Sequence, residues 1–372
     1  MRGADNIIAA LGRNDRIREM SLFDFQSSQF EKVSAAMQQP FPSLTDLALE
    51  LELEDESAQV VPASFPGGSA PRLQTLTLYS FPFPGLPKLL LSATHLVDLD
   101  LWNIPDAGYI SPTEMVICLS VLTGFEKLEL GFESPLYPPD RRIRPPPTRA
   151  FLPVLTGLRF FGVCGYLEDI VAWIDAPLLD NLAIIFFHRL MFTTPKLAEF
   201  ISRTPKFEPH NEALVVFSEQ GVSVTLLQTF DGLLELGISC RHSEWQLSSL
   251  AQVCSSSLPR ALFAAVEHLY ILENRFRDWQ DDIENSQWLE VLHLFTAVKG
   301  LYISSEFTPR IAPALQELVG ERVKEVLPTL QSLFLEEPLP SRLVRAAIED
   351  FVAAQQFSSH LIAVSRWKRK SA

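Results

Sequence analysis

A short pattern of apolar and polar positions recurs along this chain. The pattern is apolar-x-x-apolar-x-apolar, as in LQTLTL at 73–78 and LVDLDL at 96–101, and such alternation predicts a half-buried β-strand. Its second apolar residue falls at twelve positions: Met20, Leu47, Leu76, Leu99, Leu128, Leu158, Leu182, Leu214, Leu236, Leu269, Leu301 and Leu333. Neighbouring copies lie 22 to 33 residues apart, which leaves room for one helix between strands. We therefore predict a series of strand-plus-helix units.

Several segments between the strands carry helix start signals. Ser111, Pro112 and Glu114 form a capping box with proline at the first helical position, and Thr194 and Thr308 each precede a proline in the same way. Further helical patterns lie at 26–37, 166–175, 246–257, 286–296 and 341–357. The regions 54–72 and 134–150 are rich in proline, glycine and charge, and they are predicted to be long surface loops.

The copy at Leu214 is the weakest. Asn211 stands where its first apolar residue should be, and EALVVFSEQGVSVTLLQ reads as two short strands about Gln220 and Gly221. We predict a hairpin there that interrupts the regular spacing.

Strand-plus-helix copies of this length are typical of leucine-rich repeats. The predicted fold class is an α/β leucine-rich-repeat solenoid, or horseshoe, of about twelve irregular repeats, with a parallel sheet on the concave side and helices on the convex side. Residues 1–16 would be an N-terminal cap or the remnant of a missing upstream module, residues 17–340 the solenoid, and residues 341–372 a C-terminal capping helix and basic tail.

Charge, cysteine content and hydropathy bear on the partner and the cellular compartment. The chain has 45 acidic and 31 basic residues and a formal net charge of -14, which argues against nucleic acid as a partner. Basic clusters at 141–149 and 366–370 are interpreted as a solvated loop and tail. The four widely spaced cysteines predict reduced core thiols. The N-terminal segment lacks the apolar region of a signal peptide, and no apolar run reaches the ~18 residues of a membrane span. We expect an intracellular monomer, cytoplasmic or nuclear, without membrane contact.

The sequence gives little support for catalysis. It contains no G-x-S-x-G, H-E-x-x-H, Walker-type or dinucleotide-binding motif, and its seven histidines show no paired ligand spacing. The acidic run at 46–56 lacks the glycine-centred spacing of a calcium loop. We predict a non-enzymatic protein without cofactor or metal; an enzyme with a dispersed site is the alternative from another class.

The strand register predicts which side chains face the concave side. When the second and third apolar residues of each copy point inward, the residues before, between and after them point outward. Val215, which lies between two such residues, is therefore predicted to point outward. Two groups combine aromatic and charged residues in the manner of protein-binding surfaces. The predicted mixed-charge surface consists of Tyr79, Asp98, Asp100, Trp102, Lys127, Glu129 and Arg159. The predicted aromatic column consists of Tyr270, Tyr302 and Phe334. The alternative is that loops or the C-terminal segment cover these residues.

The repeat also resembles a known family. Together with PFPSLTDLAL (40–49), SFPGGSAPRLQTLTL (64–78), PPPTRAFLPVLTGLRFFG (145–162) and YLEDIVAWIDAPLLDNLAIIFF (166–187), it resembles the leucine-rich part of fungal F-box proteins. The resemblance implies that the repeats choose a protein substrate, while an amino-terminal F-box docks onto a Skp-type adaptor of a cullin ubiquitin ligase.

An F-box-like segment does not precede the first copy, and residues 1–16 are too short to form one. We expect either a fragment or shortened gene model, in which a Skp-type adaptor is a partner only if the F-box is restored, or a stand-alone repeat scaffold with no ubiquitin role. In both cases the expected partner is a protein.

Overall fold

The computed structural model describes residues 2–25, 27–51, 67, 69–135, 148–187, 192–227, 232–240, 243–274, 284–318, 321–337, 341–357 and 361–369. The chain divides into two compact units. The first comprises Met1–Leu182 with Arg203–Lys206, and the second comprises Ala183–Ser202 with Phe207–Ala372.

Strands and helices are interspersed along the first unit. In chain order its elements are α1 (Arg2–Leu11), β1 (Glu19–Phe25), α2 (Ser27–Ala36), β2 (Asp46–Leu51), β3 (Thr75–Tyr79), α3 (Leu86–Ser92), β4 (Asp98–Ile104), α4 (Pro112–Leu119), β5 (Lys127–Phe132), β6 (Ala150–Phe151), β7 (Gly157–Gly162), α5 (Cys164–Val171) and β8 (Ile174–Asp175). Short 3-10 turns occupy Asn14–Arg16 and Asp106–Gly108.

The larger sheet of this unit has the order β1-β2-β3-β4-β5-β7, and β6 pairs with β8 separately. Neighbouring strands are parallel and in register, so that Leu47, Leu76, Leu99 and Leu128 are direct partners. These leucines are at most 1% exposed. The predicted inward column is therefore confirmed across these strands.

The second unit adds a meander to the same arrangement. Its elements are β9 (Asn181–Phe187), α6 (Pro195–Arg203), β10 (Glu212–Ser218), β11 (Gly221–Leu227), β12 (Leu233–Ser239), α7 (Ser243–Ser257), α8 (Arg260–Phe263), β13 (His268–Glu273), α9 (Asn285–Leu292), β14 (Gly300–Ile303), α10 (Thr308–Gln316), α11 (Glu321–Val326), β15 (Ser332–Glu336), α12 (Arg342–Phe357) and β16 (Ala363–Trp367). Its strands have the order β9-β12-β11-β10-β13-β14-β15-β16.

The hairpin predicted about Gln220 and Gly221 is confirmed. Strand β11 is antiparallel to both β10 and β12, whereas β10, β13, β14, β15 and β16 pair in parallel. The meander also reverses the strand order, since β12 rather than β10 lies beside β9.

The predicted register of β10 is wrong by one residue. Ala213, not Leu214, is the partner of inward-facing Leu269, and Val215, which the pattern placed on the outer face, is 0% exposed. Because side chains alternate along a strand, a one-residue slip exchanges the two faces. The run ALVVF is apolar on both faces, so alternation could not determine its register.

The predicted helix starts agree with the structure. Ser111 caps α4 by accepting from the Glu114 backbone N–H at 3.2 Å, and the Glu114 carboxylate accepts from the Ser111 backbone N–H at 3.3 Å. Helices α6 and α10 begin at Pro195 and Thr308. Most of the two predicted loops, 54–72 and 134–150, lies outside the described residues.

Helices cover one face of the strands within each unit. Tyr166 of α5 contacts the inward Phe132 and Phe160 with ring centroids 4.7 and 6.0 Å apart. In the second unit Trp288 of α9 and Phe307, the residue before α10, contact Phe217 with ring centroids 5.6 and 4.6 Å apart. Burial of such large apolar side chains provides most of the favourable folding free energy.

The fold is thus mixed α/β, with large, mostly parallel sheet and helices. Its four cysteines are buried and none is in a disulfide, in agreement with the prediction of core thiols. Their positions are Cys118, Cys164, Cys240 and Cys254.

Candidate protein-binding surfaces

The structure brings the residues of the mixed-charge surface together on the strand face opposite the buried leucines. Asp100, Glu129 and Arg159 are direct partners along β4, β5 and β7, and Asp98 pairs with Lys127. Tyr79 of β3 pairs with Trp102 of β4. The seven side chains are exposed or half-buried, with Tyr79 43% exposed.

A β-bulge positions Trp102. The regular pairing of β4 with β5 shifts after Leu101, so Trp102 and Asn103 together lie opposite Gly131. Asn103 takes a left-handed backbone conformation with φ of 53°, which asparagine tolerates better than most residues. A Cβ atom at Gly131 would overlap the six-membered ring of Trp102. The glycine therefore allows the indole to lie directly on the backbone of β5.

One hydrogen bond holds the indole in this orientation. Trp102 Nε1 donates to Glu129 Oε2 at 3.1 Å, and Arg159 Nη1 lies 3.4 Å from the same oxygen. The Trp102 ring also lies 6.5 Å from that of Phe161. An aromatic side chain fixed before binding loses less conformational entropy when a partner contacts it.

The strand ends beside these aromatic residues share an irregularity. Ser80, the residue after Tyr79, is also left-handed, with φ of 56°. Asn103 Nδ2 donates to Ser80 Oγ at 2.7 Å, and the Ser80 backbone N–H donates to Trp102 O at 2.9 Å. Left-handed non-glycine residues are uncommon and need such support. This network fixes where Tyr79 and Trp102 leave the sheet.

The environment of Asp100 disfavours its ionised form. Burial, and then the nearby Glu129 carboxylate, raises the pKa of Asp100 to about 6, while Arg159 acts in the opposite direction. One oxygen each of Asp98 and Asp100 is shielded from solvent and accepts no hydrogen bond from the residues the structure describes. Ionised Asp100 is thus poorly compensated in the folded chain.

The aromatic column in the second unit is a continuous stack. Tyr270, Tyr302 and Phe334 are direct partners on β13, β14 and β15. Their ring centroids are 4.3 and 4.2 Å apart, with interplanar angles of 18° and 4°. Burial, then Glu212 and then Tyr302, raises the pKa of Tyr270 to about 12.

Sequence reasoning missed a fourth member of this cluster. The ring of Trp367 on β16 meets Tyr302 edge-on at 5.7 Å and Tyr270 at 6.3 Å. The sequence predicts a solvated basic tail for the segment that contains Trp367, but residues 363–367 form a strand. The apolar pattern fails there because Arg366 is the partner of buried Leu335; the lone tryptophan beside the basic run was the available signal.

The remaining observations concern other classes of site and relatives. No group of three or more His, Cys, Asp or Glu in an arrangement suited to a metal ion occurs in the described part of the chain. Within those same residue ranges, no helix has the length and apolar character needed to cross a bilayer. Comparison of the sequence with protein-family models and with curated proteins found no match.

Proposed function

We propose that this chain is a leucine-rich-repeat solenoid that binds a protein partner through the open face of its sheet, and that it resembles the substrate-recognition part of a fungal F-box protein. The repeat reading is supported by parallel, in-register strands that bury equivalent leucines such as Leu76 and Leu99. Repeat proteins of this kind mostly present extended binding surfaces.

The observation that carries the binding proposal is the immobilised Trp102 beside exposed Tyr79. An indole seated on Gly131 and bonded to Glu129 is a preformed aromatic anchor, and tryptophan and tyrosine dominate binding energy at protein interfaces. The neighbouring charges would select the partner by complementarity rather than provide most of the affinity. We assign no catalytic step or cofactor to this surface.

Substitution of the anchor tests the proposal. Trp102→Ala should weaken capture of partners from an extract of the source cells by roughly 30-fold, because removal of a hot-spot side chain costs about 2 kcal/mol or more. Ile117→Ala on α4 is the matched control, since Ile117 is also exposed, at 43%, but lies on a helix. Quantitative mass spectrometry measures capture, and thermal unfolding measures folding.

The possible outcomes separate the candidate roles. Selective loss of capture by a folded Trp102→Ala chain supports binding at this face; full capture by both Trp102→Ala and Tyr79→Ala contradicts it. If Trp102→Ala unfolds, the more exposed Tyr79 alone decides the question. Recovery of a Skp-type adaptor favours the ligase role, whereas stable partners without an adaptor favour a scaffold.

A further inference from the structure

The segment Ala363–Arg369, which we call the terminal strap, lies along the aromatic column. Its strand β16 pairs in parallel with β15, from Ser332 opposite Ala363 to Glu336 opposite Trp367. The first four side chains of β16 are exposed and only Trp367 is half-buried. The strap therefore contributes little apolar burial apart from its indole.

Trp367 is the contact that closes the strap onto the column. Its ring meets Tyr302 nearly perpendicularly, at 87°, and also contacts Tyr270. Its Nε1 donates to Ile303 O at 3.3 Å, at the end of β14. Edge-on contact with two rings together with one hydrogen bond is the geometry of an aromatic residue bound by a receptor.

Basic side chains of the strap contact acceptor oxygens at the ends of two strands. Arg366 and Lys368 lie 3.9 and 3.2 Å from the Glu337 carboxylate. Arg369 Nη1 donates to the backbone oxygen of Glu273 at 3.0 Å. The carboxyl ends of β13 and β15 are thus complementary to a cationic segment that follows an aromatic residue.

We propose that the terminal strap is a displaceable internal ligand, and that the aromatic column binds in its place a partner segment of the same chemistry: an extended stretch with an aromatic residue followed by basic ones. This inference rests on the proposed function in taking the column as a protein-binding surface, and it adds the class of ligand and its regulation.

The structure explains why the strap can be displaced. Exposed ion pairs such as Lys368 with Glu337 contribute little net free energy, and an edge strand with few buried side chains is among the first elements to open. The strap competes because it is tethered to the column and is therefore present at high effective concentration. The apparent affinity of a partner is its intrinsic affinity multiplied by the fraction of chains in which the strap has left the column.

Fluorescence anisotropy with a labelled synthetic peptide of residues 361–369 tests the inference on the full chain. Trp367→Ala weakens the internal strap, so the peptide should bind this variant at least about tenfold more tightly than it binds the unaltered chain. A peptide with alanine in place of Trp367 should lose binding. Adding Tyr302→Ala to the Trp367→Ala chain should also abolish binding, whereas adding Leu343→Ala on α12, where Leu343 is 83% exposed, should not.

A second measurement uses the unaltered chain, so the inference does not depend on how the variants fold. Hydrogen exchange of the β16 amides in the unaltered chain should be faster than that of Leu301–Ile303 in β14. Saturating peptide, which takes the place of the strap at the column, should make exchange of the β16 amides faster still. Equal exchange in β14 and β16, or equal peptide affinity for the unaltered and Trp367→Ala chains, overturns the inference. Either result leaves the Trp102 capture assay unaffected, so failure of the strap and failure of the proposed function are distinguishable.

Discussion

The register of β10 provides a decisive test because two adjacent valines exchange faces between the alternatives. Val215 is 0% exposed and lies on the helix-covered face with Phe217, whereas Val216 is partly exposed on the opposite face. The register centred on Leu214 would reverse these positions. Val215→Ala and Val216→Ala are therefore matched variants with the same chemistry in the same strand.

The expected difference follows from burial. Each substitution removes two methyl groups, which at about 0.8 kcal/mol per buried group amounts to about 1.6 kcal/mol for a fully buried valine. A residual cavity of roughly 50 Å³ adds about 1 kcal/mol. We expect Val215→Ala to lose about 2–3 kcal/mol of unfolding free energy and Val216→Ala less than about 1 kcal/mol. Loss of β-propensity is common to both and cancels in the comparison.

Equilibrium urea unfolding followed by circular dichroism measures both variants. A lower midpoint at unchanged slope reports lost stability. Equal losses of unfolding free energy, or a larger loss for Val216→Ala, would refute the register seen in the structure. The side chain of Leu214 would then belong on the buried face.

Three further predictions concern single side chains. Because the pKa of Asp100 is raised to about 6 from 3.8, its stabilising contribution is complete below about pH 4 and is lost as pH rises through 6; Asp100→Asn should therefore be more stable than the unaltered chain at neutral pH, and urea midpoints that differ equally at pH 4 and pH 7 would disprove this. Ser111→Ala should lose about 1 kcal/mol in urea unfolding through the α4 cap, while Ser120→Ala at the other end of α4 serves as control, and equal losses would argue against the cap. Burial raises the pKa of Cys118 to about 12 and also raises that of Cys254, so a thiol reagent should label them only as fast as the chain unfolds; rapid labelling of the folded chain would contradict their burial.

The regular part of the fold was predictable because one physical rule governs it. Wherever apolar and polar residues alternate, as in TLTLY at 75–79, the buried face is evident from the sequence, and parallel pairing aligns Leu76 with Leu99. Local hydrogen bonds likewise identify helix starts, as at Ser111. Each of these two signals is carried by residues that lie only a few positions apart in the chain.

The remainder depends on contacts between distant residues. The order of the strands in the meander depends on which of them pairs with β9, a strand outside the meander. The ALVVF run is compatible with either register. For the mixed-charge surface, alternation predicted the outward side chains, but the bulge that seats Trp102 on Gly131 requires knowledge of the partner strand. The contact between Trp367 and Tyr302 joins residues far apart in sequence, so no local pattern reports it.

The two surfaces differ in how their aromatic residues are held. Regular strand spacing of about 4.8 Å explains the stack of Tyr270, Tyr302 and Phe334, since in-register pairing alone brings these rings into contact. Trp102 instead lies where the regular pairing is interrupted, and specific neighbours orient it. Tyr79 is 43% exposed with the strap in place, whereas a segment that binds at the column would replace Trp367 under the exchange proposed above. It follows that the effect of Trp102→Ala on affinity should not depend on the state of the strap, while the effect of Tyr302→Ala should be larger once Trp367 is removed.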